Sequence, residues 1–308
     1  FSHFIFSHIL FNKFISPIIS KKQKNNIKNI PKPSSLHLLV GKDYKTKQDV
    51  YISESGLYQN FLITGTIGSG KTSSAMYPFT EQLLKYNSNN KDDKIGMLIL
   101  DVKGNYYNQV CKYAKTYHLE DDIIVIGLNS NYFYNPLYKP NLKPAVLANR
   151  LKTILTLFSE NNSESYWLDK AEQILLEAIK LCRLYNNGYV TFSELHKLIT
   201  IPEYYKEKIS LLKELFISSK LNNKQIYELN ECLNFFQKEF ENLDSRTKSI
   251  LISEITRITN TFISDFDIFS SFCPPKEKLN FLGFKEVINS GKIVILNIVF
   301  ILTHFIKI

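Results

Sequence analysis

Asn60 to Thr72 reads N-F-L-I-T-G-T-I-G-S-G-K-T, and its second part, Gly65 to Thr72, completes the pattern G-x-x-x-x-G-K-[ST]. The pattern carries weight when a strand enters the loop and a helix leaves it. Residues 60–64 are a short apolar run suited to a buried strand, and residues 73–86 (S-S-A-M-Y-P-F-T-E-Q-L-L-K-Y) suit a helix. Gly65, Gly68 and Gly70 permit backbone angles that a side chain forbids. The main-chain N–H groups of Gly65, Thr66, Ile67, Gly68, Ser69 and Gly70 then converge on an anion at a helix N-terminus, where the dipole also favours it. In that arrangement Lys71 reaches the β- and γ-phosphates and the Thr72 hydroxyl sits on Mg2+. The expected ligands are therefore ATP and Mg2+. With 11 glycines in 308 residues the chain is Gly-poor, which disfavours a chance match.

Working outward, 308 residues allow one large domain or two ordinary ones, and 44% hydrophobic residues allow a proper core. Cys111, Cys182, Cys232 and Cys273 lie far apart with no C-x-x-C pair, which argues against a disulfide framework or a zinc site and for reduced thiols in a cytosolic compartment. The six histidines are scattered, and no carboxylate pair or Ser/His/Asp set stands out. The net charge of +9 is uneven: residues 1–48 hold nine lysines and one acid, Asp43, leaving about +1 for the rest. The basic character belongs to an N-terminal segment, which fits lipid headgroups, nucleic acid or a solvated linker. The uncharged run of residues 1–12 is too short to span a bilayer. It fits either the trailing end of a membrane helix, with the lysines cytoplasmic, or a packed amphipathic segment.

Residues 20–35 form a polar, Pro-bearing linker, and residues 36–59 suit one or two antiparallel strands. Residues 61–64, 95–100 and 122–127 are continuous apolar runs that alternate with helical stretches. Such runs suit the strands of a parallel sheet covered on both faces and built from βαβ units. From about 144 to 269 the pattern turns helical. Trp167, Ala171, Ile174, Leu175, Ala178, Leu181, Cys182 and Tyr185 share one helical face, with Gly188 as a stop. Thr191–Glu194 (T-F-S-E) matches a capping box, and Ile226, Leu229, Leu233, Phe236 and Phe240 form another apolar stripe. Residues 292–300 (K-I-V-I-L-N-I-V-F) read as a strand returning to the sheet. The apolar tail that follows suggests a reading frame truncated at both ends, or a last packed element.

A second segment, residues 98–107, reads L-I-L-D-V-K-G-N-Y-Y. An acid closing a strand before Lys-Gly resembles the D-P-K-G-E segment of type IV coupling proteins, the TraG/TraD-type ATPases of conjugation and type IV secretion. The T-S-S-A-M-Y-P-F that ends the phosphate loop, the Y-N-P-L at residues 134–137 and the Y-W-L-D-K-A-E-Q-I-L-L at residues 166–176 resemble the family in the same chain order. The resemblance spans about 36–300, with Val102 in place of the usual Pro and Asn105 in place of the usual Glu. It implies an α/β fold, a P-loop NTPase with a mainly parallel central sheet of the RecA/FtsK kind and an inserted all-α domain. The implied division is a basic segment at 1–35, a nucleotide-binding domain at 36–143 plus 275–308, and the all-α domain at 144–274.

The resemblance further implies a homo-hexameric ring on the cytoplasmic face of the plasma (inner) membrane. That ring would bring relaxase-bound single-stranded DNA to the channel components of a type IV secretion system, with the N-terminal region as its membrane contact. The family's water-polarising Asp-Glu pair belongs to a later strand than this chain carries. Nucleotide binding is therefore expected more firmly than ATPase turnover. Asp101 reads in two ways: a Walker-B-type acid that serves Mg2+ through water and takes part in catalysis with Lys71, or an anchor for the turn that follows it. Lys103, Arg246 and Arg257 read as surface charge or as contacts to phosphate, DNA or a neighbouring subunit. The alternatives to a DNA pump are a nucleotide-binding remnant and a membrane-tethered adaptor, both without turnover.

Overall fold

The computed structural model describes residues 36–128, 130–157, 165–218 and 220–297. The basic N-terminal segment and the apolar tail lie outside the described residues. The chain separates into two compact units, residues 1–89 and 90–308.

In the first unit β1 (His37–Lys42) and β2 (Asp49–Ser53) pair antiparallel, with a bulge at Val40 because Leu39 faces Tyr51 while Gly41 faces Val50. The Asp43 carboxylate makes the turn by accepting the Lys45 and Thr46 amides at 2.9 and 2.6 Å. After α1 (Glu54–Leu57), residues 60–66 have no regular structure. A π-helical turn, Thr72–Met76, then leads into α2 (Tyr77–Lys85). Pro78 explains the wide turn. Its ring crowds the carbonyl four residues back and it has no N–H to give, so the Tyr77 amide bonds Thr72 O instead.

The strand expected at residues 61–64 is not formed. Phe61, Leu62 and Ile63 are exposed, and no ladder includes them. An apolar run becomes a strand only with a partner for its main-chain groups. Here β1 and β2 pair with each other, and the remaining sheet holds three strands among the described residues, all from the second unit.

That second unit is α/β. β3 (Met97–Asp101), α3 (Tyr106–Thr116), β4 (Ile123–Ile126) and β5 (Ile293–Asn297) build a parallel sheet in the order β3-β5-β4. Ile293, Val294 and Ile295 in the central strand are buried, as a both-faces-covered strand requires. Edge strand β3 departs from expectation, because the face that carries Leu98 and Leu100 is exposed.

Between β4 and β5 run α4 (Pro144–Thr156), α5 (Ser165–Tyr185), α6 (Phe192–Thr200), α7 (Pro202–Ile217) and α8 (Asn223–Asn234). A second π-helical turn (Phe235–Phe240), α9 (Ser245–Ile263), α10 (Phe266–Phe272) and α11 (Phe284–Asn289) complete the connection. The apolar stripe of α5 is buried at Ala171, Ile174, Leu175, Ala178, Leu181 and Cys182, because α5 packs against α4, α6, α7, α8 and α9. Each fully buried Leu or Ile there contributes about 1.5–3 kcal/mol. α5 stops in a Schellman arrangement: Asn187 has φ 47° and the Gly188 amide bonds Arg183 O at 2.9 Å. Only half of the capping box at α6 forms. Thr191 Oγ1 accepts the Glu194 amide at 3.1 Å, but the Glu194 carboxylate takes the Tyr185 and Tyr204 hydroxyls at 2.6 and 2.7 Å. No helix among the described residues is long and apolar enough to cross a membrane.

One ion cluster pins the entry ends of all three parallel strands. Asp122, just before β4, accepts hydrogen bonds from Lys94, ahead of β3, and from Lys292, just before β5, the latter at 2.9 Å. Burial pushes the Asp122 carboxyl up, but the hydrogen bonds from Lys292 and Lys94 outweigh it and hold the group below the usual carboxylate range. A depressed folded-state value stabilises the fold above the unfolded value, about pH 4, and that stability is lost as pH falls through the folded value. Asp122→Asn is therefore expected to lose about 2 kcal/mol in urea unfolding at neutral pH. The gap to wild type should close as pH falls below about 4 and through the folded value of Asp122. A gap that stays constant throughout that acid titration would show that the cluster is not the cause.

Candidate phosphate-binding site

The loop that begins at Gly65 is shaped by its glycines. Gly68 and Gly70 both have φ 82°, a left-handed value that side chains rarely adopt. A Cβ on Gly65 would lie 2.5 Å from Ser69 Oγ, and one on Gly70 would lie 3.0 Å from Ser74 Oγ. The Ser69 amide closes a tight turn on Thr66 O at 3.2 Å, and the Ser74 amide returns to Gly70 O at 2.7 Å, which begins the helix. Ser73 Oγ also donates to Gly70 O, at 3.3 Å.

Lys71 folds back over this loop. Its ammonium donates to Gly65 O and Thr66 O, both at 2.7 Å. Two of its three protons are thus held by main-chain carbonyls of the loop itself. Thr72 follows as the first residue of the π-helical turn, exposed, and Ile67 at the tip is fully exposed. The arrangement places one ammonium, the hydroxyls of Thr66, Ser69 and Thr72 and the amides around two left-handed glycines within a single eight-residue stretch. That donor set suits an anion with several oxygens.

Gly65, Thr66, Ile67, Gly68, Ser69, Gly70, Lys71 and Thr72 belong to the first unit, and Asp101 belongs to the second. Asp101 ends β3 and is 3% exposed. Its Oδ1 accepts the Lys103 and Gly104 amides at 3.2 and 2.8 Å, and its Oδ2 accepts the Tyr107 amide at 3.0 Å. Tyr107 is the second residue of α3, and Asn105 at the N-cap position makes no side-chain cap bond. Asp101 therefore does the capping from the strand end, where a carboxylate is also favoured by the helix dipole. Of the two readings of Asp101, the anchoring one describes its observed contacts.

Asn297, which ends β5 opposite Asp101, carries no motif. Its signal is positional, since it stands at the carboxyl edge of a parallel sheet, where ligands of open α/β folds bind. Of the other candidate cations, Arg257 is paired with Glu254 at 3.2 Å and Lys103 is exposed. The main-chain amide of Arg246 caps onto Asp244 at 3.1 Å.

Asp101→Ala is expected to cost about 2–3 kcal/mol in urea unfolding, and Asp101→Asn, which keeps one acceptor oxygen, about half of that. Hydrogen exchange at the amides of Lys103, Gly104 and Tyr107 should accelerate in both variants. An Asp101→Ala protein with wild-type stability and an unchanged Tyr107 amide would remove the anchoring role.

No protein-family model matches this chain, and no curated protein matches it.

Proposed function

We propose that residues 65–72 bind the phosphates of ATP with Mg2+, and that the chain is a nucleotide-binding part of a type IV coupling protein. The observation that carries the first half is the loop's geometry: left-handed Gly68 and Gly70, with Lys71 Nζ 2.7 Å from two carbonyls of the loop. The second half rests on the D-V-K-G and Y-N-P-L segments and on the helical stretch between β4 and β5. In this reading the fold is a P-loop NTPase of the RecA/FtsK kind with an inserted all-α domain. The partners are relaxase-bound single-stranded DNA and a secretion channel, met by a homo-hexamer on the cytoplasmic face of the inner membrane.

The residues present fit the ligand. Lys71 would exchange its two neutral carbonyl acceptors for charged phosphate oxygens. The loop amides would hold the remaining oxygens, and the exposed Thr72 hydroxyl would serve the metal. Mg2+, when bound, neutralises charge on the β- and γ-phosphates. Asp101 favours a second reading, nucleotide binding without turnover. Three main-chain amides already hold its carboxylate, so the contacts it makes are those of an anchor.

The test measures Mg2+-dependent ATP affinity and phosphate release together, with and without single-stranded DNA. Wild type should bind, and Lys71→Ala should bind at least roughly tenfold more weakly, the loss of one charge-assisted contact, while keeping its helical circular dichroism. Turnover stimulated by DNA and lost in Lys71→Ala supports a motor, and binding without turnover supports the second reading. Equal affinity in the two proteins would overturn both.

A further inference from the structure

The helix that leaves the phosphate loop is fastened to the β1–β2 hairpin by one side chain. Gln82, two turns into the helical stretch, accepts the Leu39 amide on Oε1 at 2.7 Å and donates Nε2 to Leu39 O at 3.1 Å. The same Nε2 donates to Pro78 O at 3.2 Å on its own helix. The carboxamide thus pairs with the edge of β1 as another strand would, and its second proton ties that pairing to the helix. Beside the clip the contact is apolar, since Leu38 of β1 and Leu84 of α2 are both buried.

The clip matters because the loop has little else to hold it. Residues 61–69 are exposed throughout. The turn joining the loop to α2 is π-helical, and Pro78 gives it no N–H. A wide turn with one donor fewer fixes the loop to α2 less firmly than an α-helical turn does. The direction of α2 therefore depends on what grips its outer side, and Gln82 grips it two-handed.

We propose that Gln82 is a positioning residue. By clamping β1 to α2 it holds the turn that presents Lys71 and Thr72, and so sets the affinity of the loop for Mg2+-ATP. This inference rests on the nucleotide reading of residues 65–72. The hairpin is then part of the phosphate site's frame, and whatever moves β1 is felt at the loop.

The test compares wild type, Gln82→Ala and Gln82→Glu, using a fluorescent ATP analogue with Mg2+ and hydrogen exchange of the Leu39 amide in the same samples. Gln82→Ala loses both bonds to Leu39 and should bind roughly tenfold more weakly, with faster exchange at Leu39. An ionised glutamate still accepts the Leu39 amide but cannot donate to Leu39 O. A protonated one restores the donor. Gln82→Glu should therefore bind weakly at neutral pH and recover to within about twofold of wild type, measured at the same pH, below about pH 4. A role limited to stability would leave the affinity of the folded variants at the wild-type value at both pH values. Wild-type affinity in both folded variants, with Leu39 exchange accelerated, would overturn the positioning role and leave the phosphate loop intact. Absence of binding by wild type itself would overturn the nucleotide reading and this role with it. Unchanged Leu39 exchange in Gln82→Ala would overturn the clip.

Discussion

The second unit depends on one topological constraint: its central strand comes last among the described residues. β5 lies between β3 and β4 although the whole helical stretch separates β4 from β5 in sequence. The sheet cannot close until that stretch has brought β5 back between β3 and β4. α5 makes this possible, because a single buried stripe meets five helices. Closing a long connection costs only slightly more entropy than closing a short one, but it delays the pairing. What β5 gains is full burial of Ile293, Val294 and Ile295. The entry side is correspondingly tight. A Cβ on Gly96 would stand 1.7 Å from Ile288 O, so α11 packs directly on the main chain leading into β3.

Both ends of this sheet are held by carboxylates, each in a different manner. At the entry end Asp122 joins lysines that belong to the other two strands, a long-range contact that fixes register. At the exit end Asp101 serves only its own successor residues. The difference follows from what lies nearby. Strand entries here are preceded by Lys94 and Lys292, whereas the exit of β3 runs into a tight turn with Gly104 at φ 72° and several amides in need of acceptors. A carboxylate with about four acceptor positions is the compact answer to three converging N–H groups. Local geometry, rather than chemistry, is sufficient to explain an acid at that point.

Periodicity made the helical part legible, because burial against several neighbours demands an unbroken stripe and α5 displays one. The β3, β4 and β5 runs were legible for a similar reason, with boundaries differing by one or two residues among those described. The run at residues 61–64 looked the same and is not a strand, since apolar composition states a preference for burial and not the presence of a hydrogen-bonding partner. The exposed face of β3 has the same origin: L-I-L reads as buried on both sides, but alternate residues of an edge strand need not be covered. Within the candidate site the glycines and Lys71 were legible because the φ values and the ammonium are properties of single residues. Gln82 was not. A glutamine on a helix carries no periodic signal, and its role is set by Leu39, 43 residues away. Glu194 shows the same limit, since its residue type suited a capping box while the hydroxyls of Tyr185 and Tyr204 offered better partners.

The two bonds of Lys71 bear on how such a loop stays ready for an anion. Convergent amides with no acceptor nearby give a loop no reason to remain curled, and its carbonyls, turned the other way, repel one another. An ammonium across Gly65 O and Thr66 O relieves that repulsion while the glycines hold the curl. In the nucleotide reading an incoming phosphate would compete only with neutral carbonyls for the charged lysine, in an exposed place. The bonds that would replace them pair two opposite charges instead of a charge and a carbonyl dipole. In that reading the exchange would favour the anion without reordering the backbone, provided that the helix carrying Lys71 is held in place. With residues 61–69 exposed and the first turn widened at Pro78, the contact between β1 and α2, where Leu38 and Leu84 are buried, and the carboxamide of Gln82 serve that condition.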